Sequence, residues 1–203
     1  MLHTLIASAL VSAAAHATPV ALPAALPRVL LDTAVAAPVA KHLTLDLRSG
    51  GSVRIIGGPD KVVRIRVTDA GRECGACGVQ LEQGADGIQV KSANLPHGWS
   101  KLEFEIEVPE QFDVDLNSAG GEVKIEGVAG TIKGSTDAGA LDLRRLSGNV
   151  DLETKRGDVT LRESYVSGRV HTVGGKVMLE DVTGTVEGTT GKGKVIERRV
   201  QRG

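Results

Sequence analysis

From Lys41 onward the chain alternates apolar and polar residues in short runs broken by glycine-rich joints. Leu43, Leu45 and Leu47 alternate with polar neighbours, as do Val53 and Ile55, then Val63, Ile65 and Val67. A period of two puts one set of side chains inward and the other in water, so these runs predict three short strands. Two weaker strands are expected around Val79 to Leu81 and Ile88 to Val90. The stretch WSKLEFEIEVPEQFDVDL gives the clearest strand. Leu102, Phe104, Ile106 and Val108 face one way and Lys101, Glu103, Glu105 and Glu107 the other, and Pro109 interrupts before Phe112, Val114 and Leu116 resume. Residues 41–117 are therefore read as a less regular N-terminal β region that caps the remainder of the chain.

Residues 118–203 repeat. Units aligned on Gly-x-apolar begin at Gly121, Gly139, Gly157, Gly175 and Gly193, a constant 18-residue period. A second glycine at Gly130, Gly148 and Gly184 falls halfway between these and opens a shorter apolar pattern. The unit reads as two short strands with glycine-containing corners. In the third copy Gly168 comes eleven residues after Gly157 and seven before Gly175, which predicts a two-residue insertion in RESYVSG compensated by a shortened return through HTVGG. The projected core is Val123, Ile125, Val128 and Ile132, then Leu141, Leu143, Leu146, Val150 and Leu152, then Val159, Leu161, Val166 and Val170, then Val177, Leu179, Val182 and Val186, ending on Val195. The expected fold is all-β: a narrow parallel β-solenoid with 18-residue coils. An antiparallel sandwich of short strands is the alternative, but it has no reason to repeat at this spacing.

Composition agrees with a thin core. Among 203 residues there are 26 Gly but only two Phe, one Trp and one Tyr, so Val, Leu and Ile must fill the interior. The formal net charge of -1 points away from nucleic acid or an anionic membrane as a partner of the whole chain. The first residues, MLHTLIASALVSAAAHA, hold an apolar run ending in the A-x-A pattern Ala15-His16-Ala17. They read as a secretory signal peptide over residues 1–17, although no Lys or Arg precedes the run. The run is shorter than the roughly 20 residues of a bilayer span. Residues 18–40 are read as an Ala/Pro-rich linker, and the exported product is expected in the periplasm or at the cell surface, with no transmembrane segment in the mature chain.

Cys74 and Cys77 in CGAC are the most conspicuous chemical feature. Such a pair serves as a redox-active dithiol, half of a zinc site or a structural disulfide. The five histidines, His3, His16, His42, His97 and His171, show no ligand spacing with it, so no metal is expected. In an exported protein a small disulfide pinning RECGACG is the expectation, with a thiol redox or metal-handling role as an alternative. Outward acids and bases, including Glu122, Lys124, Asp142, Asp151, Glu153, Asp158 and Glu180, are ordinary for a solvated sheet face. Asp142 and Asp158 could approach one another on neighbouring coils. Catalytic fingerprints such as G-x-S-x-G, H-E-x-x-H and the P-loop are missing from the sequence, as are the acidic corners of a calcium roll, whose places hold Lys155 and Lys192. Neither catalytic residues nor cofactors are expected. Arg144, Arg145, Lys155, Arg156 and Arg162 form a candidate contact patch. Between Lys192 and Arg202 five basic residues stand against one acid, a distribution that discourages edge pairing at the end of the stack.

The stretches GGSVRIIGGPDKVVRIRV and KLEFEIEVPEQFDVDLNSAGGEVKIEGVAG, followed by the repeating GDVTL…SGRV and GKVMLEDVTGTVEG, resemble a bacterial family of exported β-strand-repeat proteins of unknown function, often labelled "putative adhesin". The likeness covers roughly residues 41–200 and lies in the order of parts. It implies a parallel β-solenoid in the cell envelope and transfers no catalytic residue. The resulting expectation is a non-enzymatic envelope scaffold or adhesin-like binding module whose partner is an envelope protein or glycan. A carbohydrate-active enzyme on a β-helix is the alternative, disfavoured by short coils and few aromatic platforms.

Overall fold

A computed structural model of the chain describes residues 27–38, 41–69, 78–93 and 101–203. Residues 1–17, expected to be a signal peptide, and the Cys74/Cys77 pair lie outside the described residues, as does Trp99. Where the sequence predicts alternation, strands form: β1 (Arg28–Ala36), β2 (His42–Leu47), β3 (Ser52–Gly58), β4 (Val62–Asp69), β5 (Gln80–Gly84), β6 (Gly87–Ser92), β7 (Leu102–Pro109) and β8 (Asp113–Ser118). The repeats supply β9 (Val123–Glu126), β10 (Ala129–Thr136), β11 (Leu141–Arg144), β12 (Ser147–Thr154), β13 (Val159–Thr172), β14 (Val177–Thr183), β15 (Val186–Thr190) and β16 (Val195–Gln201). The described residues are all-β and contain no helix. Strand β1 falls inside the stretch read as a linker. Leu30, Leu31 and Val35 pack against the core, and this anchors the segment.

All strands belong to one open sheet that folds into two rows. The first row runs β1-β4-β7-β3-β9-β11-β13-β14-β16 and the second β5-β6-β2-β8-β10-β12-β13-β15. The long β13 serves both: its first half pairs with β11 and β14, its second half with β12 and β15. The rows face one another across a single thin core, since a side-chain carbon added at Gly188 in β15 would stand 2.9 Å from Val177 Cγ1 and 3.4 Å from Leu179 Cδ1 in β14.

The strand order is mixed rather than parallel throughout. Pairs β1–β4, β4–β7 and β5–β6 are antiparallel. A two-residue turn at Ala85 and Asp86 joins β5 to β6, and only an antiparallel hairpin can be closed so tightly. Beyond them every pair is parallel. In the repeats the partners keep the period seen in the sequence: Val123 pairs with Leu141, Leu141 with Val159, Val159 with Val177, and Val177 with Val195.

This offset also holds through the third copy, which corrects the expected insertion. Ser147 pairs with Tyr165 and Thr154 with Thr172, so the counterpart of Gly148 is Val166, while Gly168 stands in register with Val150. The left-handed bend made by Gly148 (φ 115°) has moved two residues along, to Gly168 (φ 120°). A shift of two preserves the in-out alternation, so Val166 turns inward without displacing the register.

Every projected core residue is buried except Val195, which is 41% exposed in β16. Phe104 and Phe112, both in the N-terminal β region, are among the largest fully buried side chains. The repeating glycine has a direct cause. A Cβ on Gly139, Gly157 or Gly175 would collide with the carbonyl oxygen of the glycine one coil earlier, so the corners stack closely only without a side chain.

Candidate functional site

The five cations proposed as a contact patch fall into two separate groups. Arg144 and Arg162 end first-row strand segments and are register neighbours, with Arg145 at the following corner. Lys155 and Arg156 follow β12, so an eight-residue strand separates them from Arg145, roughly 25 Å at the usual rise.

Most of these cations are also already paired with carboxylates. Arg144 Nη2 lies 2.7 Å from Glu163 Oε1, Arg145 pairs with Glu126, Lys155 Nζ lies 2.6 Å from Asp137 Oδ1, and Arg162 Nε lies 3.8 Å from Glu180 Oε2. Arg156 adds its field to that of Lys155 at Asp137.

The corner holding Arg145 is built from one backbone feature repeated at coil spacing. Gly127, Arg145, Glu163, Asp181 and Arg199 all adopt left-handed φ, between 50° and 70°. Arg145 and Glu163 swing their charges from the corner onto Glu126 and Arg144 at the strand ends of the preceding coil, and Asp181 meets Arg199 of the next corner. Arg199 accordingly reaches both Asp181 and Glu180. The hydrogen bond from Arg144, with the fields of Arg144 and Arg145, holds the Glu163 carboxyl below its ordinary value, and Arg199 does the same for Asp181. This edge is a charge-compensated ladder.

Asp142 and Asp158 do not form a pair. Asp142 is in register with Lys124 and Thr160, whereas Asp158 accepts a hydrogen bond from the Lys176 backbone N–H at 3.0 Å and lies 3.3 Å from its Nζ. That backbone hydrogen bond is the main cause lowering its carboxyl pKa. Among the described residues no group of three or more His, Cys, Asp or Glu side chains is placed to hold a metal ion. No helix among them is long and apolar enough to cross a membrane.

The outer face of the second row offers a different arrangement. Asp115, Lys133, Asp151, Arg169 and Glu187 form one register column of alternating charge across β8, β10, β12, β13 and β15. Beside it run Thr131, Asn149 and Ser167, with Thr185 donating a 3.0 Å hydrogen bond to Ser167. A shallow trough of about 460 Å³ opens here, lined by Thr131, Lys133, Asn149, Asp151, Arg169 and Glu187 together with Val150 and Gly168. Arg169 Nη2 lies 3.0 Å from Asp151 Oδ1, while Lys133 and Glu187 form no ion pair among the described residues. Tyr165 is 68% exposed in β13, the strand that also carries Arg169.

Sequence reasoning gives no special place to Lys133, Asn149 or Glu187. The signal is present, because all three sit at outward positions of the aligned repeats, but a column becomes visible only once the register is fixed. A second hollow of about 360 Å³ on the outer face of the first row is lined by Asp32, Arg54, Arg64, Arg66, Glu105 and Glu107. There Arg64 is paired with Asp60 and Glu107, and Arg66 with Asp32.

No family model matches the chain, and no curated protein matches it. Among solved structures, one described as a "putative cell adhesion protein" from Clostridium sporogenes is similar over 85% of this chain and 99% of its own, at 11% identity and a TM-score of 0.45. A "putative adhesin" from Parabacteroides merdae is similar over 87% and 96%, at 8% identity and 0.27. A "putative lipid binding protein" from Parabacteroides distasonis is similar over 87% and 97%, at 10% identity and 0.29. Likenesses at these scores carry no functional argument, and the family resemblance read from the sequence remains a resemblance.

Proposed function

We propose that the chain is a non-enzymatic binding module of the bacterial envelope, a parallel β-solenoid of short coils behind a mixed β cap, and that it recognises a glycan on the outer face of its second row. The observation that carries this reading is the trough over β10, β12, β13 and β15, with Lys133, Asn149 and Glu187 free to engage a ligand. Six of its eight lining residues carry hydroxyl, amide or charged groups, and Val150 and Gly168 complete it. A protein interface of comparable strength is anchored on buried aromatic or aliphatic groups, whereas a polyhydroxylated polymer is held by arrayed hydrogen-bonding side chains. Equivalent side chains recur about every 4.8 Å along the stack, a spacing suited to an extended chain. Export by the leader at residues 1–17 and a small Cys74–Cys77 disulfide belong to the same proposal.

The test is binding to an array of envelope polysaccharides by the mature protein and two variants. The triple variant Lys133→Ala, Asn149→Ala, Glu187→Ala is expected to keep its melting temperature and lose at least about tenfold in affinity, the equivalent of one lost charged contact. Arg144→Ala with Arg145→Ala is expected to bind as the parent does. Equal binding by parent and triple variant would remove the trough from the binding surface, and capture of a protein instead of a glycan would replace the proposed ligand class.

A further inference from the structure

The first row carries an aliphatic column through the core. Ile125, Leu143, Leu161 and Leu179 are successive register partners, each with no exposed surface. The next place in that column, in β16, is held by Glu197, the register partner of Leu179. A carboxylate thus stands where every preceding coil has placed a leucine or isoleucine. Its side chain is 33% exposed, and Arg202 closes over it with Nη2 at 2.6 Å from Oε1. The neighbouring Arg199 turns back onto Asp181 and Glu180 of the preceding coil, so its charge is directed away from β16's free edge. Among the described residues strand β16 has a partner on one side only, β14.

We propose that the Glu197–Arg202 pair is a built-in stop that keeps this edge of the stack from pairing with a second copy of the chain. A strand stacked on β16 in the register used by every earlier coil would shut the carboxylate in over Leu179, its guanidinium partner with it, away from water. Removing an ion pair from water is unfavourable unless new partners replace the lost hydration, and an aliphatic neighbour supplies none. The occupant excluded is another copy of this chain, whose free first-row edge β1 runs in the same direction as β16 and carries the aliphatic Leu31 and Val35 on either side of Thr33, its own member of the Glu197 column. From the sequence, the basic tail is expected to blunt this end. In the structure the decisive residue is the single acid within it, because only Glu197 occupies the core column.

Sedimentation of the whole mature chain over a wide concentration range tests the proposal. The parent is expected to keep the mass of one chain. Glu197→Leu is expected to associate in a concentration-dependent manner, at least tenfold more tightly than the parent. The uncharged variant Glu197→Gln with Arg202→Gln serves if the leucine variant fails to fold. Adding Val200→Lys, a charge on the same edge, is expected to abolish the association. A folded variant that stays at the mass of one chain overturns the proposal, and so does association that survives Val200→Lys.

Discussion

Thr172 shows how single residues close each coil. Its hydroxyl donates to the Gly157 carbonyl at 2.8 Å and accepts from the Gly175 N–H at 3.1 Å, joining the glycine that opens its own coil to the glycine that opens the next. Thr190 repeats this with the Gly175 carbonyl at 2.7 Å and the Gly193 N–H at 3.0 Å, and Thr154 donates to the Gly139 carbonyl at 3.1 Å. Ser118, Thr136, Thr154 and Thr172 are consecutive register partners, and all are buried. Thr172→Val keeps the shape and removes both hydrogen bonds. It is expected to cost about 1–3 kcal/mol in urea unfolding, while Thr172→Ser should lose less because the hydroxyl remains. A valine variant as stable as the parent would show that the stitch contributes nothing. These residues are hidden in the sequence because a polar residue in an alternating run is assigned to the solvent side, whereas each hydroxyl here is satisfied by backbone inside the corner.

At the scale of the element, the strands and their apolar faces are legible because alternation is a local property. Leu141 and Leu143, or Val177 and Leu179, face inward as expected. Pairing is harder to read, since it depends on residues far apart. The antiparallel placement of β4 between β1 and β7 is one example, and the move of the bend from the Gly148 position to Gly168 is another. The candidate cations fall at two separate corners and are largely paired for the same reason, since sequence distance shows which charges are near in number and not which acids the next coil brings beside them. Those acids predict a pH response. Asp137, Asp158, Glu163 and Asp181 all have carboxyl pKa values lowered in the folded chain, by Lys155, by the Lys176 N–H, by Arg144 and by Arg199 respectively. Groups lowered by folding contribute stability that is present above their unfolded values, near 4, and is lost as pH falls through the folded ones. The melting temperature is therefore expected to be flat from about pH 7 to 5 and to fall below about pH 4. Added salt should blunt the contribution of these exposed pairs. A melting temperature that rises on acidification would contradict the ladder's role.

For the molecule as a whole, the coils keep one constant register offset in every copy, including the third, where the glycine pattern alone suggests a slip. Strict register is what aligns Lys133, Asp151, Arg169 and Glu187 into one column, keeps the Ser/Thr stitches in line, and brings Glu197 onto Leu179. Neighbouring parallel strands lie about 4.8 Å apart, within the range that a disulfide spans, whereas a position two residues further along is beyond it. The most direct measurement is oxidative cross-linking in a chain with Cys74 and Cys77 changed to Ser, carrying Glu153→Cys with either His171→Cys or Val173→Cys. Glu153 and His171 are register partners, so that pair is predicted to close quantitatively and the pair with residue 173 to stay reduced. Closure at 173 and not at 171 would mean that the third coil carries the two-residue insertion after all, and the columns on which the binding surface is built would not exist.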